Sequence, residues 1–429
     1  MNIWLRRTYF ISTIVLFLVL APTLLFYAAG WRFNFQTKTL EKVGAITLET
    51  EPKGASVFLN GKLLPKKTPL ELNNLLPGQY HLSLTKEGYY DWGKNIQIES
   101  GEVVRIMPLY LLKKQSNLEP LSKTQFEIIK QSPDKKKIAG FQNNLIEIIN
   151  LKNFEVILKI TEKNQVKNFL WSANSEKIIA ELDNNNFLLL DLTTPETATT
   201  LLDLFDLACT KVWWSQEEND VIYTSTDKKL YRLNIFQNTK TFLIEGGDII
   251  YVANHLFFRQ KDKRLEILDD QGVIKNNIDL IEDSDLKFFP PFDSLLPFLD
   301  KTYQKLFFYD IDNNTFDQLN EKVKNIFTSS DRNKIFFFNN HEIWVWHRNE
   351  ARKELIVRTS EKITAALWLE NEQYAIYAPK NNRLKAIEIQ GPQRNTYELP
   401  LNNVSQLLSG QNNKTIHPLV DGSLYQLIF

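Results

Sequence analysis

Residues 166 to 192 read "VKNFLWSANSEKIIAELDNNNFLLLDL". A short strand-forming run ends at Ser172, and the polar "ANSE" turns the chain. "KIIAEL" is a second apolar strand, "DNNN" turns the chain again, and "FLLLDL" is a third strand. The same order occurs at 126–151, "FEIIKQSPDKKKIAGFQNNLIEIINL", and at 210–235, "TKVWWSQEENDVIYTSTDKKLYRLNI". Ser132, Ser172 and Ser215 hold the same place in each copy, 40 and 43 residues apart. Weaker copies follow at 248–270, 286–311, 324–348, 365–389 and 405–429.

A unit of about 40 residues with three or four strands is the period of a β-propeller blade. Eight units fill the chain from residue 119 to its last residue. The copies at 248–270 and 286–311 lack the serine turn, so seven blades with an irregular insert is the alternative. "SPDKKKIAGF" and "WSANSEKIIAEL" resemble the WD-like and Tol-type propeller repeats, in which a Ser-Pro-Asp turn joins the first and second strands. The last unit stops after its third strand, at Phe429. The segment 116–121, "SNLEPL", is therefore expected to supply the missing outer strand, pairing chain start with chain end and leaving no bare edge.

Upstream of the repeats, residues 45–112 carry another set of strand patterns. "AITLETEP" alternates at period two, and "EPKGASVFLNGK" (51–62) places Asn60-Gly61, a two-residue hairpin signal, between β-forming runs. A Thr68-Pro69 pair, a Pro77-Gly78 turn, the alternating run Tyr80 to Leu84 and a final pair of strands around Ser100-Gly101 complete a small all-β sandwich. This stretch resembles the PEGA domain. Pro52-Lys53-Gly54-Ala55 stands in the family's name-giving position, followed by Val-x-Leu-Asn-Gly, Thr-Pro, Pro-Gly-x-Tyr and Lys-x-Gly-Tyr. Lys53 departs from the usual Glu at an exposed turn. The resemblance, over 44–112, implies a non-catalytic module of bacterial and archaeal surface or envelope proteins.

The first 31 residues are of a different kind. From Tyr9 to Ala29 there is no charge over a length that crosses the ~30 Å hydrocarbon layer as a helix. Arg6 and Arg7 precede this stretch and only Arg32 follows closely, so the positive-inside bias keeps the N-terminus cytoplasmic and sends the rest outward. A cleaved signal peptide is the rival reading, against which stand the long apolar run and Tyr27 near the would-be cleavage site. The expected organisation is all-β after one transmembrane signal-anchor helix: 1–31 cytoplasmic tip and helix, 32–43 connector, 44–112 sandwich, 116–429 propeller.

Lys plus Arg and Asp plus Glu number 51 each, so no basic field exists to attract nucleic acid. The single Cys209 forms no intramolecular disulfide and no thiol cluster for zinc. No Gly-x-Ser-x-Gly elbow, P-loop or His-Glu-x-x-His occurs. The five histidines, His81, His255, His341, His347 and His417, are scattered. "DIDNNTFDQLNE" places Asp310, Asp312, Asn314 and Glu321 at positions one, three, five and twelve of a calcium loop, but Thr315 sits where that loop needs Gly, so a strand-to-strand turn is expected instead. Trp213, Trp214, Trp344, Trp346 and Trp368 are expected to pack between blades rather than to stack on ligands. No catalytic, cofactor-binding or metal-binding residue is therefore assigned and no cofactor is expected. The expectation is a non-enzymatic, single-pass membrane protein, held by residues 9–29, that binds an extracytoplasmic protein or cell-wall polymer. The alternative is an extracytoplasmic hydrolase or lyase with its site in the propeller channel.

Overall fold

Between Arg7 and Arg32 no charged side chain interrupts the chain, and one helix, α1 (Ile3–Ala28), fills most of that stretch. The computed structural model describes residues 3–35, 37–114, 118–121, 124–194, 198–253, 255–280, 284–292, 294–319, 322–329, 333–369, 372–391, 393–410 and 414–429. At 1.5 Å per residue α1 is about 39 Å long, enough to cross a bilayer, and Arg6–Ala28 is a candidate membrane span. Its serine and threonine hydroxyls bond back to its own carbonyls, Thr8 to Trp4 (2.8 Å), Ser12 and Thr13 to Tyr9 (2.9 and 2.8 Å) and Thr23 to Val19 (2.7 Å). These aliphatic hydroxyls are thus satisfied within the helix, and the two phenols, Tyr9 and Tyr27, lie near its ends.

The described residues divide into two compact units, Met1–Lys114 with Gln390–Tyr397 and Phe429, and Gln115–Ile389 with Glu398–Ile428. In the first, the stretch expected as a plain connector pairs into a hairpin of β1 (Trp31–Asn34) and β2 (Thr39–Lys42). The alternation Trp-Arg-Phe-Asn explains it, since a period of two sorts apolar from polar residues only on a strand. The sandwich follows as β3 (Gly44–Glu51), β4 (Ser56–Leu59), β5 (Lys62–Leu63), β6 (Leu70–Leu75), β7 (Gly78–Thr85), β8 (Trp92–Ile98) and β9 (Val103–Tyr110). One sheet has the order β6-β3-β9 and the other β5-β4-β7-β8. Ile46, Leu48, Val57, Leu82, Leu84 and Ile98 form the fully buried centre between them. Asn60 (φ 50°) and Gly61 (φ 79°) join β4 to β5 as a two-residue turn with both φ values positive, matching the strand twist.

The strands flanking Ser100-Gly101 do not pair with each other as the sequence suggests. β8 pairs with β7 in one sheet, while β9 runs parallel to β3 in the other, from Ala45 opposite Val103 to Glu51 opposite Tyr110. Each layer needs its own inward apolar row, so Ile96 and Ile98 serve one sheet and Val104 and Ile106 the other.

The second unit consists of eight successive antiparallel sheets: blade 1 (128–161), blade 2 (166–200), blade 3 (211–245), blade 4 (248–279), blade 5 (286–319), blade 6 (325–358), blade 7 (363–402) and blade 8 (404–428). Blades 4 and 5, whose sequences lack the serine turn, still form four strands each. Separate apolar clusters join blades 1 and 2, 2 and 3, 3 and 4, 4 and 5, 5 and 6, and 6 and 7. Blades 7 and 8 meet through their first strands, where Thr364 Oγ1 donates to Val404 O at 2.7 Å. A last cluster joins blade 8 (Leu408, Leu419, Leu424) to blade 1 (Ile129, Ile138, Ile149), so the series closes into a ring.

Closure also uses the backbone. Leu121 N–H donates to Leu424 O and Phe126 N–H to Gly422 O, both at 2.7 Å, so the chain start lies beside the third strand of blade 8. Residues 118–121 do this without forming a regular strand, and 116 and 117 fall outside the described residues. The reason is on the partner's side, where the third strand is split into Ser423–Leu424 and Leu427–Ile428 and offers no continuous edge.

The blade sequence repeats as contacts. Ser132 Oγ accepts from Lys137 N–H (2.9 Å), Ser172 Oγ from Lys177 N–H (2.9 Å) and Ser329 Oγ from Lys334 N–H (3.0 Å). Each of these lysines then reaches the next blade: Lys137 Nζ to Ser175 O (3.0 Å), Lys177 Nζ to Asp220 (2.9 Å) and Lys334 Nζ to Glu372 (2.9 Å). Trp171 and Trp214 donate their indole N–H groups to Lys130 O (3.1 Å) and Leu170 O (2.8 Å) of the preceding blade. Trp346 and Trp368 lie in the 5/6 and 6/7 clusters. One short helix, α2 (Leu201–Phe205), capped by Thr200, packs Leu201 and Phe205 into the 2/3 cluster.

Two sets of variants test this reading. Nothing lies within 4 Å of a Cβ built on Gly61, so Gly61→Val acts through backbone strain alone and should cost the sandwich about 1–2 kcal/mol in denaturant unfolding. Lys53→Glu, which removes only an exposed 3.9 Å pair with Glu49, should change stability by less than about 0.5 kcal/mol. At the ring closure a Cβ on Gly140 would sit 2.3 Å from the buried Phe126 ring. Phe126→Ala should therefore destabilise the propeller by about 3–5 kcal/mol, and Gly140→Val should likewise lower its melting temperature and expose residues 414–429 to proteolysis. Unchanged melting in both would mean that the ring closes elsewhere.

Candidate functional site

A polar groove of about 800 Å³ lies on the sandwich, flanked by Gly54, Lys67, Lys86, Glu87, Asp91 and Lys114. The turn after β3 supplies Gly54 (φ 86°) and the turn after β7 supplies Lys86 and Glu87. Lys86 Nζ donates to Lys53 O at 2.9 Å, which ties this lysine of the groove to the turn after β3 through the backbone of the residue that departs from the family pattern. Three ammonium groups against two carboxylates leave the groove slightly cationic, a surface for a polar or anionic segment rather than for an apolar ligand.

On the propeller a smaller cleft opens between blades 3 and 4, lined by Trp214, Ser215, Tyr223, Val252 and His255. His255 Nε2 lies 2.7 Å from Glu217 Oε2, and its Nδ1 is 3.5 Å from the Tyr223 hydroxyl. Burial pushes the Tyr223 phenol above its ordinary pKa. Ser215 Oγ accepts from the Glu218 amide at 3.1 Å, which holds the turn. The arrangement holds the imidazole between the Glu217 carboxylate and the Tyr223 hydroxyl.

Two of the remaining histidines have separate partners. His81 on β7 contacts Asn95, His341 precedes the third strand of blade 6, and His347 at its end meets Glu354 at 3.2 Å. Among the described residues no group of three His, Cys, Asp or Glu is placed to hold a metal ion. Asp310 ends the third strand of blade 5 and accepts from Asn313 N–H (3.1 Å) and Arg348 (3.1 Å), as a turn residue does, and Asn314 takes φ 54°. Glu321 lies outside the described residues. The carboxyl of Asp310 stays below its ordinary range because Asn313 and Arg348 outweigh its burial. Cys209 is buried in the 2/3 cluster, where burial raises its thiol pKa.

His417, on the second strand of blade 8, drew no special notice in the sequence. It is 2% exposed, and neither ring nitrogen has a hydrogen-bond partner among the described residues. Its ring lies 6.1 Å from that of Phe154 of blade 1. Burial lowers its pKa to about 4, so it is a neutral ring wedged beside the closure.

Residues 43–110 match the PEGA domain. Among curated proteins, none is similar to this chain in sequence. Among solved structures, the C-terminal WD40 domain of Sif2 superposes with a TM-score of 0.54 at 14% identity, covering 73% of this chain and 98% of that one. BamB from Moraxella catarrhalis superposes with a TM-score of 0.50 at 10% identity, covering 73% of this chain and all of that one. At such identities the likeness is one of fold, a WD40- and BamB-like β-propeller.

His417 makes the pH dependence of stability testable. The unfolded imidazole takes up a proton near pH 6.5, and the folded one only near pH 4. Stability is therefore full above about 6.5 and falls as pH drops through that window. Between pH 7 and 5 the loss should be about 2 kcal/mol, read from urea midpoints, and His417→Leu should remove it. An equal acid loss in the variant would place the effect on other groups.

Proposed function

We propose that the protein is a membrane-anchored extracytoplasmic scaffold, with residues 1–31 as cytoplasmic tip and anchor, 32–43 as a short linking segment, 44–112 as a PEGA module and 116–429 as a propeller that docks a protein or cell-wall polymer. The observation that carries this reading is the joining, in one chain, of a helix uncharged from Thr8 to Ala28 to a PEGA sandwich and a closed propeller. Arg6 and Arg7 in the first turns of the helix, before its uncharged stretch, favour a cytoplasmic N-terminus. The charged groups at the blade junctions support a binding rather than a catalytic role. Lys177 with Asp220, Lys334 with Glu372 and Arg348 with Asp310 hold neighbouring blades together, so these charges fasten the scaffold.

Orientation is tested with an impermeant maleimide on Asp317→Cys, an exposed position on the outer strand of blade 5, in a chain whose own Cys209 is buried. Labelling of intact cells is expected, and labelling only after lysis would reverse the topology. Cross-linking of the full chain in those cells should then trap a saturable partner on the propeller or the sandwich. Turnover of wall polymer by the purified chain, with no partner trapped, would instead establish the hydrolase or lyase reading.

A further inference from the structure

The hairpin of β1 and β2 has two unlike faces. On one side Asn34 Nδ2 donates to Glu41 Oε2 (2.9 Å), while Thr37 and Thr39 donate to Glu41 Oε1 (2.7 and 2.9 Å), which satisfies that carboxylate within the hairpin. Arg32 on the same side stacks over the Tyr27 ring at 3.5 Å, donates to Tyr27 O at 2.6 Å and reaches Asn74 Oδ1 of the sandwich at 3.2 Å. Asn34 is 5% exposed. This polar side is thus turned toward the end of α1 and the body of the sandwich.

The other side has no such partners. Phe33 and Leu40 are cross-strand neighbours, Trp31 is two residues from Phe33, and Phe35 continues the row. Trp31, Phe33, Phe35 and Leu40 are 36%, 47%, 84% and 57% exposed. Phe33 and Phe35 meet edge to face at 5.2 Å, and Trp31 meets Phe26 of α1 at 6.3 Å. The row is therefore continuous with the apolar surface of the candidate span. Val43 N–H donates to Gly30 O at 2.8 Å, which ties the base of the hairpin to the helix end. Because α1 is longer than the ~30 Å hydrocarbon layer, its C-terminal end lies at headgroup depth, and so does a hairpin fastened there. Trp and other aromatic rings are favoured at that depth, where an apolar body meets polar headgroups. Lys42, opposite Trp31, is a long cationic side chain of the kind that reaches toward lipid phosphates.

We propose that residues 31–42 form an interfacial hairpin that lays Trp31, Phe33, Phe35 and Leu40 into the bilayer surface where α1 emerges, a second membrane contact that fixes how the sandwich stands on the membrane. The proposal rests on the anchoring role given to α1, and the test separates the two. The full chain is reconstituted in phosphatidylcholine–phosphatidylglycerol vesicles with one environment-sensitive fluorophore on Phe33→Cys, Leu40→Cys, Thr39→Cys or Leu16→Cys. The lipids carry a nitroxide either near the head of the acyl chain or at its middle. The expected result is that the Leu16 site is quenched by the deep nitroxide, the Phe33 and Leu40 sites by the shallow one, and the Thr39 site by neither. Quenching at Leu16 with water-like emission at both Phe33 and Leu40 would overturn the hairpin contact and leave the anchor intact. A shielded but unquenched Phe33 site that varies with the protein-to-lipid ratio would overturn it in favour of a second copy covering the face. Absence of quenching at Leu16 would remove the anchor, and the hairpin contact with it.

Discussion

A ring of wedge-like sheets leaves no blade with a bare face only if the first and last blades meet, and here that meeting depends on two backbone hydrogen bonds and one small apolar cluster. Leu121 and Phe126 donate to Leu424 and Gly422, and Ile129, Ile138 and Ile149 pack on Leu408, Leu419 and Leu424. Gln131 Nε2 adds a bond to Ser409 O across 278 residues of sequence. Phe126 fills the space that Gly140 leaves by having no side chain, so one aromatic ring and one missing Cβ are complementary parts of the same joint. Without this joint blades 1 and 8 would each expose an apolar face that every other blade buries.

The rest of the ring uses the same few devices repeatedly. A serine hydroxyl holds the turn between first and second strands, and the lysine that begins the second strand reaches the following blade. A tryptophan just before the serine donates back to the preceding blade. The serine device lies within a blade, whereas the lysine and tryptophan contacts reach a neighbouring blade about 40 residues away. This is why the unit is recognisable as a repeat of about 40 residues although hardly any position is identical throughout. Leu369 and Gly410 hold the serine's place in blades 7 and 8, and blades 4 and 5, which also lack the serine, are joined by a chain of rings from Tyr251 through Phe288 and Phe298 to Phe307.

Local patterns were legible in the residues themselves. The Ser-to-Ser spacing of 40 and 43, the Asn60-Gly61 turn and the charge-free run before Gly30 each report a conformation that neighbours in sequence determine. Contacts made by distant residues were not legible. Nothing in "ESGEVV" distinguishes a hairpin from a crossing between layers, because the parallel partner of β9 lies more than fifty residues upstream. The amphipathic hairpin at 31–42 was hidden by its brevity, and α2 by having a single turn. The sandwich groove was equally hidden, since its walls come from positions 54 to 114 and no spacing announces them. His417 reads in sequence as an ordinary strand residue, and only the packing of blade 8 against blade 1 shows that its nitrogens lack partners.

The joint between Phe126 and Gly422 also sets a timetable for the chain. The first blade is synthesised early, yet its outer face has no partner until the residues after Thr415 exist, roughly 300 positions later and, at 5–20 residues per second, some tens of seconds later. During that interval the growing propeller is an open arc with two adhesive ends, and the entropy of bringing them together is spent only at the finish. Completeness is therefore verified by the fold itself. A chain that stops one blade early is left with an arc that its own tail cannot close, so a premature stop or a nick near the C-terminus strikes the whole domain at once.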